Sequence, residues 1–173
     1  YEVESVDKKP EPYLCLSRKG GIYPNSGMVP VVVRKTFSMP VSGSRLKAEY
    51  TVLLKGDTEN VLFGVEMNFG LQSGRSTDSS FEIPDRTLKE TFLASKGVEA
   101  DVSSVCMTLE WMPLTVKIHF SQPAILWRMP VETVSQSEGG VEHNYQSTCI
   151  MPIWNISAEK DRKINVEIIM EVE

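Results

Sequence analysis

The sequence has few of the residue types on which most catalytic and metal-binding sites depend. Only two of its 173 residues are histidines and only three are cysteines, and Cys15, Cys106 and Cys149 lie far apart. An odd number of widely spaced cysteines fits neither a disulfide framework nor a zinc site. We therefore expect buried thiols in a reducing, cytoplasmic protein, with no metal ion or other cofactor.

Long apolar runs and an excess of positive charge are also missing. No stretch approaches the ~20 apolar residues of a membrane span, and no signal peptide is visible. The net charge of -5 argues against nucleic acid and anionic membranes as main partners. Because the chain begins with Tyr1 rather than Met, we expect it to be a piece of a longer protein.

The sequence does contain a repeated alternation of apolar and polar residues, clearest over residues 46–54, 114–120 and 164–170. A period of two indicates strands with one buried face, because successive side chains of a strand point to opposite sides. Turn-forming clusters recur about every 8 to 15 residues, which is typical of an antiparallel sandwich. We predict one all-β domain over residues 1–173, with about 10 to 12 strands.

Local patterns also predict how the strands connect. Residues 46–54 and 61–71 alternate in the same way and are predicted to pair as an antiparallel hairpin. Turns are expected at Arg18–Gly21 and Ser121–Pro123, where turn-forming residues cluster. A polar loop is expected over residues 72–80, and we predict that it is flexible.

The stretch from Trp127 to Gln146 is predicted to form a strand, a tight turn and a return strand. Its turn, Ser137–Gly140, contains two adjacent glycines, which can adopt the positive φ of a short hairpin loop. The return strand alternates, so its odd-numbered side chains from 141 to 145 face one side and its even-numbered ones the other. Three carboxylates, two amides and a tyrosine therefore surround one hairpin.

The same stretch resembles a known family. Pro130-Val-Glu-Thr-Val-Ser-Gln-Ser-Glu-Gly-Gly140, followed by Tyr145-Gln-Ser and Pro152-Ile-Trp154, is similar to the C-terminal β-sandwich domain of glycoside hydrolase family 57. That family contains α-amylase-like enzymes and 4-α-glucanotransferases. Phe63-Gly-Val-Glu-Met-Asn-Phe69 resembles a strand of the same domain, and the two motifs stand in the expected order.

The resemblance narrows the fold and the function. It implies a large distorted antiparallel β-sandwich of the galactose mutarotase-like type, the supersandwich, and it favours a strand at 87–95, where composition allows a short helix. The family's catalytic residues lie on a separate N-terminal barrel that this chain does not encode. The resemblance thus implies a non-catalytic accessory domain, with that barrel as its partner and an α-glucan as candidate ligand.

Carbohydrate sites combine an aromatic ring with carboxylates and amides that bind sugar hydroxyls. For the tryptophans the alternative is a place in the core, and alternation assigns Trp111 to the core. For Glu66 and Asn68 of the Phe63–Phe69 motif, the alternative to sugar binding is a buried polar pair that fixes the register of the sheet. The candidate carbohydrate-binding residues are Trp127, Glu132, Gln136, Glu138, Glu142, Tyr145, Trp154, Glu66 and Asn68.

Three other hypotheses stay open. The chain could be an independent carbohydrate-binding module. It could be a small mutarotase-like enzyme, which requires His119 or His143 to meet a carboxylate in a concave pocket. A loop with Asp57, Glu59 and Asn60, or the turn at Glu138, could hold calcium, although acidic loops are more often only solvated.

Overall fold

The computed structural model describes residues 1–7, 11–25, 27–41, 43–56, 58–158 and 163–173. Within these ranges the backbone forms eleven strands and no helix, so the all-β prediction is confirmed. The strands are β1 (Glu2–Asp7), β2 (Tyr13–Ile22), β3 (Val29–Ser38), β4 (Arg45–Leu54), β5 (Thr58–Gly64), β6 (Met67–Phe69), β7 (Ser79–Glu82), β8 (Gly97–Leu109), β9 (Leu114–Ser137), β10 (Gly140–Ala158) and β11 (Lys163–Val172).

The chain divides into two compact units. Unit 1 contains Tyr1–Phe63, Ile118–Gln122 and Asn155–Val172, and unit 2 contains Gly64–Lys117, Pro123–Trp154 and Glu173. The expectation of a single domain stays a prediction. Among the described residues we find no helix long and apolar enough to span a membrane.

Unit 1 is built on antiparallel neighbours in the order β1-β2-β3-β4-β11, and β11 pairs with β9 on its other side. The alternation of β4 is confirmed, since Ala48, Tyr50, Val52 and Leu54 are all buried. Val52 and Leu54 form a core cluster with Ile156. The partly buried residues packed against this cluster are Ile22, Val31, Val33, Val61 and Phe63.

The predicted hairpin between residues 46–54 and 61–71 is wrong. β4 pairs with β3 and β11, while the second segment breaks at Gly64 into β5 and β6, which both pair with β10. A period of two shows which side chains share a face, but it does not identify the partner strand, because pairing is made through backbone groups that every strand offers.

Both predicted turns are also wrong. Arg18–Gly21 lies inside β2, and Ser121–Pro123 lies inside the long strand β9. Gly21 serves close packing rather than a turn, because an added Cβ would lie 2.9 Å from the sulfur of Met28. Pro123 fits a strand because its fixed φ falls within the β region.

In unit 2, β9 pairs with β10, β6 adds to β10, and the β7–β8 pair adds to β9. Residues 87–95 form neither the short helix nor the strand considered above. They form an irregular loop that buries Leu93 and Ala94 and bonds through Ala94 N–H to the carbonyl of Gly74. The most buried apolar residues of the unit are Phe81, Leu93, Val102, Val105, Met107, Leu109, Leu126 and Ile150.

Two leucines of unit 1 test this description of its core. Leu54 is 1% exposed and Leu62 is 59% exposed. Leu54→Ala should lower the free energy of unfolding by about 2–5 kcal/mol, because it removes buried methyl groups and leaves a cavity. Leu62→Ala should change it by less than about 0.5 kcal/mol. Urea unfolding at equal m-values measures both, and equal losses would contradict the burial described.

Candidate functional site

The β9–β10 hairpin provides the frame of the site. Its strands pair from Ile125 opposite Ile153 to Ser137 opposite Gly140, which confirms the predicted turn. Gly140 has a φ of 119°, a conformation that side chains with a Cβ rarely adopt. The turn therefore depends on a glycine, as its sequence indicates.

The register divides the predicted site residues between two faces. Residues directly opposite each other in an antiparallel pair share a face. Tyr145 lies opposite Glu132, His143 opposite Val134, and Val141 opposite Gln136. Glu142 lies opposite Ser135, so it points to the other face. The structure thus brings together Glu132, Gln136, His143 and Tyr145 on one face, and it separates Glu142 from them.

A β-bulge follows the hairpin arm. The register shifts between Tyr145 and Ser147, so that Thr148 next pairs with Pro130. The Tyr145 hydroxyl lies 2.6 Å from Thr148 Oγ1, and Thr148 donates to the carbonyl of Leu93 at 3.0 Å. Because a threonine hydroxyl has one proton, Tyr145 must donate to Thr148. Burial raises the pKa of Tyr145, which keeps this phenol protonated.

The loop before β7 packs directly on this tyrosine. An added Cβ at Gly74 would lie 2.5 Å from Tyr145 Cδ2 and 2.7 Å from Ala94 Cβ. The carbonyl of Gly74 also accepts the Ala94 N–H at 2.6 Å. The loop predicted to be flexible is therefore anchored at Gly74, which only glycine can occupy at this separation.

The loop and the hairpin line a partly open cavity of about 240 Å³. Gly74 and Ala94 contribute to its wall, and its polar lining comes from both segments. The six polar or aromatic side chains that line it are Gln72, Ser73, Arg75, Glu132, His143 and Tyr145.

The charged groups of the cavity balance one another. Glu132 Oε2 lies 3.6 Å from His143 Nδ1, with the carboxylate side chain 25% exposed and the imidazole side chain 58% exposed. The Arg75 guanidinium carbon lies 4.9 Å from the centroid of the Phe92 ring, a cation–π distance. The site therefore offers a carboxylate that accepts hydrogen bonds and a guanidinium that donates them.

The sequence analysis considered His143 but not Gln72, Ser73 or Arg75. These three residues show no distinctive spacing in the sequence. They belong to a polar loop that contacts the hairpin only in the folded protein. The signal that could have found them is Gly74, because a glycine between polar residues often marks a close approach of backbone to another element.

The three tryptophans have different environments. Trp154 is 6% exposed and belongs to the core, which was the alternative to a carbohydrate-binding role for this residue. Trp111 is 49% exposed, so its assignment to the core is wrong, because β8 ends at Leu109 and a turn follows. Trp127 is 39% exposed and borders a second cavity of about 350 Å³ together with Lys96 and Val98.

Glu66 and Asn68 are both exposed, so the alternative of a buried polar pair is wrong. Asn68 Nδ2 donates to Glu66 Oε1 at 2.7 Å, which holds the two side chains together beside β10. Glu138 lies in the hairpin turn and is exposed. In the described ranges no three histidine, cysteine or carboxylate residues gather as metal ligands, and Asp57 of the candidate calcium loop lies outside those ranges.

Arg128 is a buried cation that the sequence analysis did not single out. Its side chain is 4% exposed, Nη1 donates to Ser95 Oγ, and Nη2 lies 3.6 Å from Glu99 Oε1. Its guanidinium carbon also lies 5.2 Å from the centroid of the Phe81 ring. Arg128 thus ties the irregular loop that carries Leu93 to strands β8 and β9.

Comparison with known proteins establishes the family. A family model described as "Alpha-amylase/4-alpha-glucanotransferase, C-terminal" matches residues 1–168. The chain belongs to this family, as the hairpin motif predicts. A curated relative, the 4-alpha-glucanotransferase of Thermococcus litoralis, is 26% identical over 156 residues. The match covers 88% of this chain but 20% of the relative, so the chain spans about a fifth of that protein's length.

Solved structures confirm the β-sandwich fold. The crystal structure of the Thermococcus litoralis 4-alpha-glucanotransferase matches 99% of this chain with a TM-score of 0.68 and 21% identity, over 22% of its own length. A putative aldose 1-epimerase from Escherichia coli matches 99% of this chain with a TM-score of 0.67 and 12% identity, over 68% of its length. The family match does not favour the mutarotase-like alternative, although His143 lies 3.6 Å from the Glu132 carboxylate in the cavity.

Two glycines of unit 2 test the contact between the loop and Tyr145. Gly74→Ala should lower the free energy of unfolding by about 1–3 kcal/mol, because the new methyl group would overlap a ring and a side chain. Gly70→Ala is the matched control, since the nearest atom to its added Cβ lies 3.9 Å away. Urea unfolding compares them, and equal effects would contradict the packing at Gly74.

The raised pKa of Tyr145 predicts a dependence of stability on pH. Because the folded state holds the phenolic proton more tightly than the unfolded state, this contribution is present below about pH 10 and is lost as pH rises through the folded pKa. The stability of Tyr145→Phe should therefore fall less between pH 9 and pH 11 than that of the wild type. Urea unfolding at each pH tests this, and parallel declines would contradict it.

Proposed function

We propose that the chain is a non-catalytic accessory domain of an enzyme that acts on α-glucans, where it supports a separate catalytic barrel and binds carbohydrate. The observation that carries the proposal is the family match over residues 1–168. The small share of the relative that the chain covers, 20%, leaves room in such a protein for a separate catalytic domain.

The positions of two hairpin carboxylates, Glu132 and Glu142, support a non-catalytic role. Glycoside hydrolysis generally needs two carboxyl groups ~5–9.5 Å apart on opposite sides of the scissile bond. Glu132 lies opposite Tyr145, and Glu142 points to the other face of the hairpin. These two carboxylates therefore do not face each other across a common cleft.

The cavity supports the binding of carbohydrate. Glu132 can accept hydrogen bonds from sugar hydroxyls, Arg75 can donate them, and Gln72 can do both. Trp127 offers a partly exposed ring on the same unit. A neutral polyol suits this lining, since it presents donors and acceptors without a net charge.

The accessory role is tested in the protein that joins the chain to its barrel. Removal of residues 1–173 should lower the Tm of the barrel, because the contacts between the barrel and this domain are lost. It should also raise the KM for maltoheptaose. Calorimetry and an assay of glucan transfer measure the two effects.

The isolated chain is the control for this experiment. It should neither hydrolyse nor transfer maltoheptaose, while calorimetric titration should detect saturable binding. Turnover by the isolated chain, or a barrel whose Tm and KM do not change on removal of the domain, would refute the accessory role.

A further inference from the structure

We propose that the cavity of Glu132, His143 and Arg75 binds the terminal pyranose unit of an α-glucan chain rather than an internal stretch of the chain. The inference rests on the proposed function and specifies which part of the glucan the site takes. Three features of the cavity support it: its volume, its charge and the contacts that hold its walls.

The volume fits one sugar ring. Pockets for drug-sized ligands measure about 300–1,000 Å³, and this cavity, at about 240 Å³, falls below that range. A single pyranose is a ligand of the appropriate size, whereas several consecutive units would extend well beyond the lining side chains.

The charges favour a neutral, hydroxyl-rich ligand. An anion would be attracted by Arg75 but repelled by Glu132, and a cation would be attracted by Glu132 but repelled by Arg75. A sugar with neighbouring hydroxyls can donate to the carboxylate and accept from the guanidinium at the same time. The lining therefore selects against simple ions of either sign.

Contacts within the protein hold the walls of the cavity. Gly74 packs on the Tyr145 ring, Tyr145 bonds to Thr148, and Thr148 bonds to the carbonyl of Leu93. These contacts reduce the ordering cost of binding.

The two histidines of the chain allow a site-specific measurement. His143 lines the cavity, while His119 is an exposed residue of unit 1. In proton NMR spectra, the ring signals of His143, assigned by their loss in His143→Gln, should shift with maltose and maltoheptaose. They should not shift with β-cyclodextrin, which has no chain end. The His119 signals should stay unchanged with all three sugars.

Matched variants of the hairpin test the cavity itself. Glu132→Gln removes the charged acceptor without changing the shape of the side chain, so maltose should bind about tenfold more weakly or worse. Glu142→Gln makes the same change on the opposite face and should alter the Kd less than about twofold. Circular dichroism verifies that both variants fold.

Three outcomes would overturn the inference. β-Cyclodextrin could shift the His143 signals as strongly as maltoheptaose does, which would indicate binding of an internal stretch. Binding could persist in Glu132→Gln but disappear in Trp127→Ala, which would move the site to the Trp127 cavity and leave the proposed function intact. No binding of any sugar would remove this site, whereas the accessory role is decided separately by the Tm and KM of the barrel.

Discussion

The β-bulge between Tyr145 and Ser147 is the constraint on which the site depends. In a regular strand, residues three positions apart point to opposite faces. Because the bulge adds one residue to β10, Tyr145 opposite Glu132 and Thr148 opposite Pro130 lie on the same face. Their hydroxyls can therefore meet at 2.6 Å. Without the extra residue, one of the two would point away, and the link from hairpin to loop would be lost.

The hydrogen bonds from Tyr145 to Thr148 and from Thr148 to Leu93 connect the hairpin to a loop without regular structure. The loop with Leu93 and Ala94 has neither helical nor strand hydrogen bonds, so its buried backbone groups need other partners. Thr148 supplies a donor to Leu93, and the carbonyl of Gly74 accepts the Ala94 N–H. Arg128 reaches the same loop at Ser95 from the strand side. The bonds of Thr148 and Ala94 satisfy buried polar groups and so fix one arrangement of the loop, although Nε of the buried Arg128 has no hydrogen-bond partner within the described part of the chain.

The sequence predicted the features that depend on neighbouring residues in the chain. The alternation of β4, the hairpin turn with Gly140 and the faces of Tyr145 and His143 all follow from local backbone geometry. The partners of β4 and the approach of Arg75 to the hairpin were missed, because both depend on contacts between distant segments. The amino-acid sequence did not predict the bulge, although the bulge places the hydroxyls of Tyr145 and Thr148 on the same face. The family resemblance supplied the fold, which periodicity alone would not separate from other sandwiches.

The cavity combines two kinds of polar interaction that serve different purposes. The bond from Tyr145 to the buried Thr148 is partly buried and contributes to stability. The contact of Glu132 with His143 is 3.6 Å long and lies partly in solvent, where such pairs contribute about 0–1 kcal/mol. Stability therefore gives little reason for Glu132, His143 and Arg75 to converge on one cavity. The carbohydrate ligand that we propose would account for their convergence, because exposed groups held by a rigid base can exchange water for sugar hydroxyls without rearranging the fold.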